Sequence, residues 1–322
     1  MEIVAVDIGG THARFAIAEV GVGRVHSLSE PVTLKTAEHA SFQTAWEDFA
    51  AQTGRALPRA AGIAIACPVG GEVLKLTNNP WIIRPAMIPE KMQVDRFSLA
   101  NDFNAVGHAV AQLPVDQFRH LCGPDKLLPE SGTISIVGPG TGLGVAHVLR
   151  VGGDYHVNPT EGGHIDFAPL DALEDAILTR LRARYRRVSV ERVVAGPGLR
   201  EIYEALAAIE GRAVQSLDDK TLWTLAQSGE DSLATAALDR FCMTLGSVAG
   251  DIALAQGASA VVIAGGLGLR ISETLSKSGF AGRFAAKGRF EAMMAAMPVK
   301  LITHPQPGLF GAAAAFAKEH CS

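Results

Sequence analysis

Residues 3–8, Ile-Val-Ala-Val-Asp-Ile, form a short apolar run that reads as a buried strand, and Gly9-Gly10-Thr11-His12 turns the chain after it. Ala13 to Val20 then alternates apolar and polar positions, the period of a half-buried strand, and reads as a hairpin partner. A third strand is expected within 26–35. From 38 to 54 the spacing becomes helical, with Phe42, Trp46, Phe49 and Ala50 on one face. Ala61 to Ala66 is another buried strand, stopped at Cys67-Pro68 because proline cannot donate to a ladder. Phe97 to Ala100 is a short strand that delivers Asn101 and Asp102 to its carboxyl end. A helix follows from 103 to 113.

The arrangement then partly repeats. A strand at 133–137, a glycine turn at 138–144 and a return strand at 145–150 mirror the opening of the chain, as in a duplicated α/β domain. Helical spacing dominates 170–186, 197–209, 218–228 and 231–256. Ala260 to Ala264 is a buried strand running into Gly265-Gly266, and a strand at 298–303 precedes a last helix whose start Pro307-Gly308 marks. No low-complexity linker separates the halves, so the boundary falls inside compact structure near 110–115. The expected division is a small α/β domain of 1–112 with 304–322 and a larger α/β domain of 113–303.

Composition narrows the class. The 322 residues are 48% hydrophobic but only 6% aromatic, with 34 glycines, which suits a tightly packed α/β enzyme better than a β-sandwich or a disordered chain. The formal net charge is −4, and the run from Arg180 to Arg187 reads as the solvated face of a helix rather than a nucleic-acid patch. Cys67, Cys122, Cys242 and Cys321 are scattered, without the spacing of a zinc site or a disulfide framework. No basic-then-apolar leader follows Met1, and no apolar run approaches the ~20 residues that span a bilayer. A reduced, soluble, cytoplasmic protein is expected, with neither nucleic acid nor membrane as partner.

The candidate chemistry lies in the two glycine turns, Asp7-Ile8-Gly9-Gly10-Thr11 and Gly138-Pro139-Gly140-Thr141-Gly142. Glycine lets backbone N–H groups approach a ligand, and successive N–H groups make a concave anion site. Asp7 would repel a bare phosphate, so a bound cation is expected between them. Facing each other, the two turns would clamp a polyphosphate–Mg2+ complex. Three further motifs place polar groups at element ends. Asn101-Asp102-Phe103 reads equally as a helix cap, Glu161-Gly162-Gly163-His164 as an ordinary polar turn, and Ser189 with Glu191 as a helix start. Together they supply carboxylates, an amide and an imidazole, groups that match the hydroxyls of a sugar. A hydroxyl-binding cluster beside a phosphate clamp implies phosphoryl transfer to an alcohol.

Val6 to Thr11, Asn101 to Phe103, Gly138 to Gly144, Glu161 to His164 with Asp166-Phe167-Ala168-Pro169, and Glu191-Arg192-Val193 resemble the motifs of the bacterial glucokinase family. So do Ile263 to Gly266, Lys287 to Phe290 and Pro307-Gly308-Leu309, in family order from end to end. The resemblance implies an actin-like, ribonuclease H-like two-domain α/β fold of the hexokinase superfamily, with glucose in an interdomain cleft and ATP on the facing side. It implies a homodimer. It also implies that Asn101, Asp102, Glu161, His164 and Glu191 bind glucose, with Asp102 the base at the 6-hydroxyl. Asp7 would hold the Mg2+ shell through water. Val6, Ile8, Gly9, Gly10 and Thr11 would line the transferred phosphate, Gly140, Thr141 and Gly142 the rest of the triphosphate, and Gly265 and Gly266 the adenosine. Val6 stands where many relatives have Gly, and Gln306 where Asn is common.

Other classes keep a place. ROK kinases and repressors share the first turn and a Glu-x-Gly-His motif, but carry a Cys-x-Cys-Gly segment that is absent after His164. A sugar-sensing regulator would need a helix-turn-helix, and an actin-like or heat-shock-type ATPase would lack the sugar cluster. A Walker P-loop and a dinucleotide fingerprint are both absent. Arg14 is expected to pair with Asp7, the alternative being that it reaches the nucleotide, and Asn78-Asn79-Pro80 to form a turn at the pocket wall. Water competes with any sugar hydroxyl for the phosphate, so sugar-driven domain closure is expected to gate the reaction. ATP hydrolysis without sugar should be slow; equal hydrolysis with and without glucose in a phosphate-release assay would contradict that gate.

Overall fold

The computed structural model describes residues 1–76, 79–214 and 216–321, so Asn78 of the expected pocket-wall turn lies outside the described residues. The chain opens with strands β1 (Glu2–Ile8), β2 (His12–Gly21), β3 (Arg24–Leu28) and β4 (Val32–Lys35). Helix α1 (Phe42–Thr53) and strand β5 (Ala60–Ile65) follow. A small hairpin of β6 (Leu74–Lys75) and β7 (Ile82–Ile83) leads to α2 (Ile88–Met92), β8 (Arg96–Asn101) and α3 (Asp102–Gln112). Next come β9 (Phe118–Cys122), β10 (Gly132–Pro139), β11 (Leu143–Val151) and β12 (Asp154–Thr160). Five helices succeed them: α4 (Ala172–Arg184), α5 (Glu191–Val194), α6 (Gly198–Ile209), α7 (Asp219–Ser228) and α8 (Ser232–Ala255). Strand β13 (Ala258–Ile263) precedes the short helices α9 (Gly265–Arg270), α10 (Ser272–Lys277), α11 (Phe280–Ala285) and α12 (Glu291–Ala295). Strand β14 (Val299–Ile302) and helix α13 (Pro307–His320) come last.

Two compact units divide the chain. The first is Met1–Pro114 with Val157–Pro159 and His304–Ser322; the second is Val115–His156 with Thr160–Thr303. In the first unit the sheet order is β3-β2-β1-β5-β8, with β4 also paired to β2. Strands β1 and β2 are an antiparallel hairpin, while β1, β5 and β8 run parallel. Their register sets Asp7 beside Ala64 and Ala64 beside Ala100, so all three strands end level. That puts the polar residues after each apolar run on one edge of the sheet.

Each face of this sheet is sealed differently. Helix α13 lies so close to β5 that a Cβ on Gly62 would stand 2.3 Å from the Ala312 carbonyl oxygen, and one on Gly311 would stand 1.8 Å from that of Ala105 in α3. Ala313 and Ala317 are buried in the same interface. The opposite face carries an aromatic core in which Phe15 packs on Phe42 and Phe49, and Phe42 on Trp81. Helix α1 supplies Phe42, Trp46 and Phe49 to it. A Ser41–Thr44 capping box opens that helix, and Gly54 at φ 64° closes it.

The expected single strand in 26–35 is two strands, β3 and β4, which pair with different halves of β2. The chain reverses before β3 at Val22 and Gly23, both in the left-handed region (φ 51° and 68°). The second unit repeats the hairpin and parallel pattern, with order β12-β11-β10-β13-β14-β9. Edge strands β9 and β12 have one buried residue between them, Leu121, and so carry little apolar signal. The arginine run faces water for the most part and also makes ion pairs. Arg182, Arg184, Arg186 and Arg187 are exposed as expected, while Arg180 with Glu204 at 3.3 Å and Arg184 with Glu201 also tie α4 to α6. All four cysteines are free. Among the described residues, no helix is long and apolar enough to cross a membrane.

Candidate active site

In the first unit the β1–β2 turn is held from behind. Asn79 Nδ2 donates to the Gly9 carbonyl at 3.1 Å, Thr36 Oγ1 to that of Gly10 at 2.9 Å, and the Thr36 amide to that of Thr11 at 3.0 Å. Asn79 is itself fixed, since its Oδ1 accepts the Trp81 amide at 2.9 Å. The aromatic core therefore anchors the turn through Trp81. Gly9 donates its own N–H to the His12 carbonyl at 2.9 Å. Among the described residues the Gly10 and Thr11 amides have no such acceptor, which leaves them for an anion. Val6 and Ile8 have fully buried side chains in the aromatic core, so only their backbone borders the site.

Asp7 points the other way from Val6 and Ile8, as strand alternation requires. Its cross-strand partner is Arg14, with NH1 3.6 Å from Oδ2. The start of α13 closes over the carboxylate, because a Cβ on Gly308 would stand 2.8 Å from Asp7 Oδ2 and 3.0 Å from its Cγ. Loss of solvent raises the Asp7 pKa from 3.8 to about 6; Arg14 opposes the rise and the Asp102 charge adds to it. The folded value lies above the unfolded one. This group's stabilising contribution is complete below pH 3.8 and is lost as pH rises through 6. The gap amounts to about 2–3 kcal/mol, softened by the 19% of the side chain that remains exposed. A ligand that neutralises Asp7 recovers that energy.

Asn101 and Asp102 sit where β8 becomes α3. Asn101 is the helix cap: its Oδ1 accepts the Phe103 and Asn104 amides at 2.9 and 3.3 Å. Its Nδ2, 3.4 Å from the Cys67 carbonyl, is the group it can offer a ligand. Asp102 starts the helix, with Oδ1 2.9 Å from the Phe103 amide. Its charge adds to the rise at Asp7, and burial, followed by the same charge, raises the Cys67 thiol pKa. Asp7, Cys67 and Asp102 thus share the level carboxyl edge of β1, β5 and β8, the usual place for ligands in an open parallel sheet.

The second unit builds its own turn in the same manner. Gly140 donates to the Gly142 carbonyl at 2.8 Å, and Gly196 donates to the Gly140 carbonyl at 2.7 Å. Glu191 Oε2 accepts the Leu143 amide at 2.9 Å. Gly265, at φ 80°, lies so close to the Pro139 carbonyl that a Cβ would stand 2.6 Å from it; around Gly266 there is open space. Glu161 and His164 belong to a short 3-10 turn whose Gly163 backs onto the Leu143 carbonyl. Arg187 holds that turn by donating to the His164 carbonyl at 2.8 Å. The side chains of Glu161 and His164 are 79% and 57% exposed, their nearest approach being 3.9 Å. Glu191 begins α5, as a bland helix start would, and also reaches the turn.

Within the first unit, then, Asp7, Gly9, Gly10, Thr11, Asn101 and Asp102 share one edge; within the second, Gly140, Thr141, Gly142, Glu191 and Gly265 are joined directly. Sequence reasoning assigned no part to Thr36, read Gly308 as a helix start within a family motif, and gave Asn79 only a place in the pocket wall. Among the described residues, no group of three His, Cys, Asp or Glu side chains could hold a metal ion by itself. A desolvated carboxylate beside backbone amides instead suits a hard cation that arrives with phosphate.

Residues 4–319 match the family described as Glucokinase. The chain is 65% identical over 320 residues to a glucokinase of Zymomonas mobilis, covering 99% of each protein. It superposes on the crystal structure of a glucokinase from an Antarctic psychrotroph with a TM-score of 0.86, at 33% identity and 98% coverage of both chains. A ROK hexokinase from Thermus thermophilus superposes with a TM-score of 0.66 at 20% identity, a likeness of fold alone. The actin-like α/β fold expected from sequence is therefore the fold found.

The Gly308 contact is open to test. Gly308→Ala should favour the helix slightly while pushing the Asp7 carboxylate aside. Sugar-dependent ATP turnover should fall about tenfold with the melting temperature unchanged or raised. Turnover within twofold of the parent would show that Asp7 tolerates displacement.

Proposed function

The chain belongs to the glucokinase family, and from that premise we propose that it phosphorylates D-glucose at the 6-hydroxyl with ATP, giving glucose 6-phosphate and ADP. The observation that carries the reading is the pair of carboxylates, Asp7 and Asp102, on the level carboxyl edge of β1 and β8 beside a glycine turn whose Gly10 and Thr11 amides have no acceptor among the described residues. A carboxylate that resists ionisation calls for a cation; one at a helix start, within reach of it, can receive a hydroxyl proton.

Asp102 orients the 6-hydroxyl and accepts its proton as the oxygen–phosphorus bond forms and the bridging bond to ADP breaks. Phosphoryl transfer has a loose transition state, so the proton leaves late and a base of ordinary strength suffices. Asn101 donates through Nδ2 to a sugar hydroxyl, because its Oδ1 is committed to the helix cap. Glu161, His164 and Glu191 take the remaining hydroxyls. Gly9, Gly10 and Thr11 cradle the transferred phosphate, Gly140, Thr141 and Gly142 the rest of the triphosphate, and Gly265 with Gly266 the adenosine. Asp7 would hold the shell of a Mg2+ ion, whose charge would offset that of the phosphates. The family resemblance supports a homodimer as the working form, and the scattered free cysteines suit a reducing cytoplasm.

Asp102→Asn keeps the shape of the side chain and removes the proton acceptor. Calorimetry should find glucose affinity within about threefold of the parent, while a coupled assay finds turnover reduced by about a thousandfold. Near-normal turnover would take Asp102 out of the mechanism.

A further inference from the structure

Glu191 touches more than a sugar ligand needs to touch. Its Oε2 accepts the amide of Leu143, the first residue after the Gly140-Thr141-Gly142 turn. The same oxygen lies over Gly142, where a Cβ would stand 2.6 Å from it. Five residues on, the amide of Gly196 holds the Gly140 carbonyl at 2.7 Å, and the Gly196 carbonyl accepts the indole N–H of buried Trp223 at 3.1 Å. Both ends of the turn are thus fastened by the segment from Glu191 to Gly196. Leu143 is itself in the core, so its N–H has poor access to water and depends on the carboxylate. Among the described residues, Oε1 accepts no hydrogen bond.

We infer that Glu191 is a positioning residue for the nucleotide turn as well as a ligand of the sugar, so that one carboxylate serves both substrates. The inference rests on the reading above that Gly140, Thr141 and Gly142 hold the triphosphate. With Oε2 in place, the Thr141 and Gly142 amides are already aimed when the nucleotide arrives. Without it, the Leu143 amide loses its acceptor and nucleotide binding must order the turn.

The test omits sugar, which silences the sugar role. ADP with Mg2+ is titrated calorimetrically into the glucose-free parent, Glu191→Ala and Glu191→Gln. Glu191→Ala should bind ADP about tenfold more weakly, the loss expected when one partner of a charge-assisted hydrogen bond is removed. Glu191→Gln should stay within about twofold, because its amide oxygen can accept the same N–H. Parent-like ADP affinity in Glu191→Ala overturns the inference and leaves the sugar role standing. Failure of the parent to bind ADP overturns the reading of the turn and the inference with it. Gly142→Ala, which displaces the same carboxylate without deleting it, should weaken ADP as well. Parent-like affinity there overturns the inference even if Glu191→Ala does not fold.

Discussion

Two carboxylates share one edge of a parallel sheet, and burial there holds one of them back from ionising. The parallel register of β1, β5 and β8 leaves Asp7 and Asp102 on one edge, and the start of α13 covers Asp7. Burial and the neighbouring charge push the Asp7 pKa up to about 6, against the pull of Arg14. The folded protein carries this cost until a cation or proton relieves it. Such poised electrostatics is a common mark of a working site.

The second unit solves a different problem, that of placing exposed groups accurately. Glu161 and His164 stand largely in water, but their backbone does not. Gly163 backs onto the Leu143 carbonyl, Arg187 holds the His164 carbonyl, and the Val190 amide donates to Ile165 at 2.9 Å. Of these, the Gly163 contact reaches the first residue of the strand that follows the second glycine turn, and Glu191 accepts the amide of the same residue. Glycine is needed at Gly163 because a Cβ would lie 2.2 Å from a carbonyl oxygen. A rigid backbone carrying polar side chains in solvent can meet a hydroxylated ligand without first rearranging.

Much of this is legible in the sequence, for a physical reason. Asp7, Asn101 and Asp102 each come at the end of an apolar run, so strand period and turn chemistry place them at strand ends without knowledge of the fold. The paired glycine turns are equally local. What the sequence hides is held by contacts between distant residues: Asn79 to Gly9, Thr36 to Gly10, Glu191 to Leu143, and Gly308 against Asp7. No local pattern distinguishes Thr36 from any threonine after a strand. The stretch 26–35 holds two strands because the chain breaks at Ser29-Glu30-Pro31, between β3 and β4, which pair with different halves of β2. Strands β9 and β12 are edges with almost no buried face, so their pattern is nearly silent.

The most direct test is a carbon-13 NMR titration of the aspartate carboxyls in metal-free, ligand-free protein, with Asp7 assigned by its loss in Asp7→Asn. A midpoint near 6 is predicted for Asp7, moving partway down in Asp102→Asn as the second charge disappears. A midpoint near 4, the value of a hydrated aspartate, and indifferent to Asp102, would contradict the account.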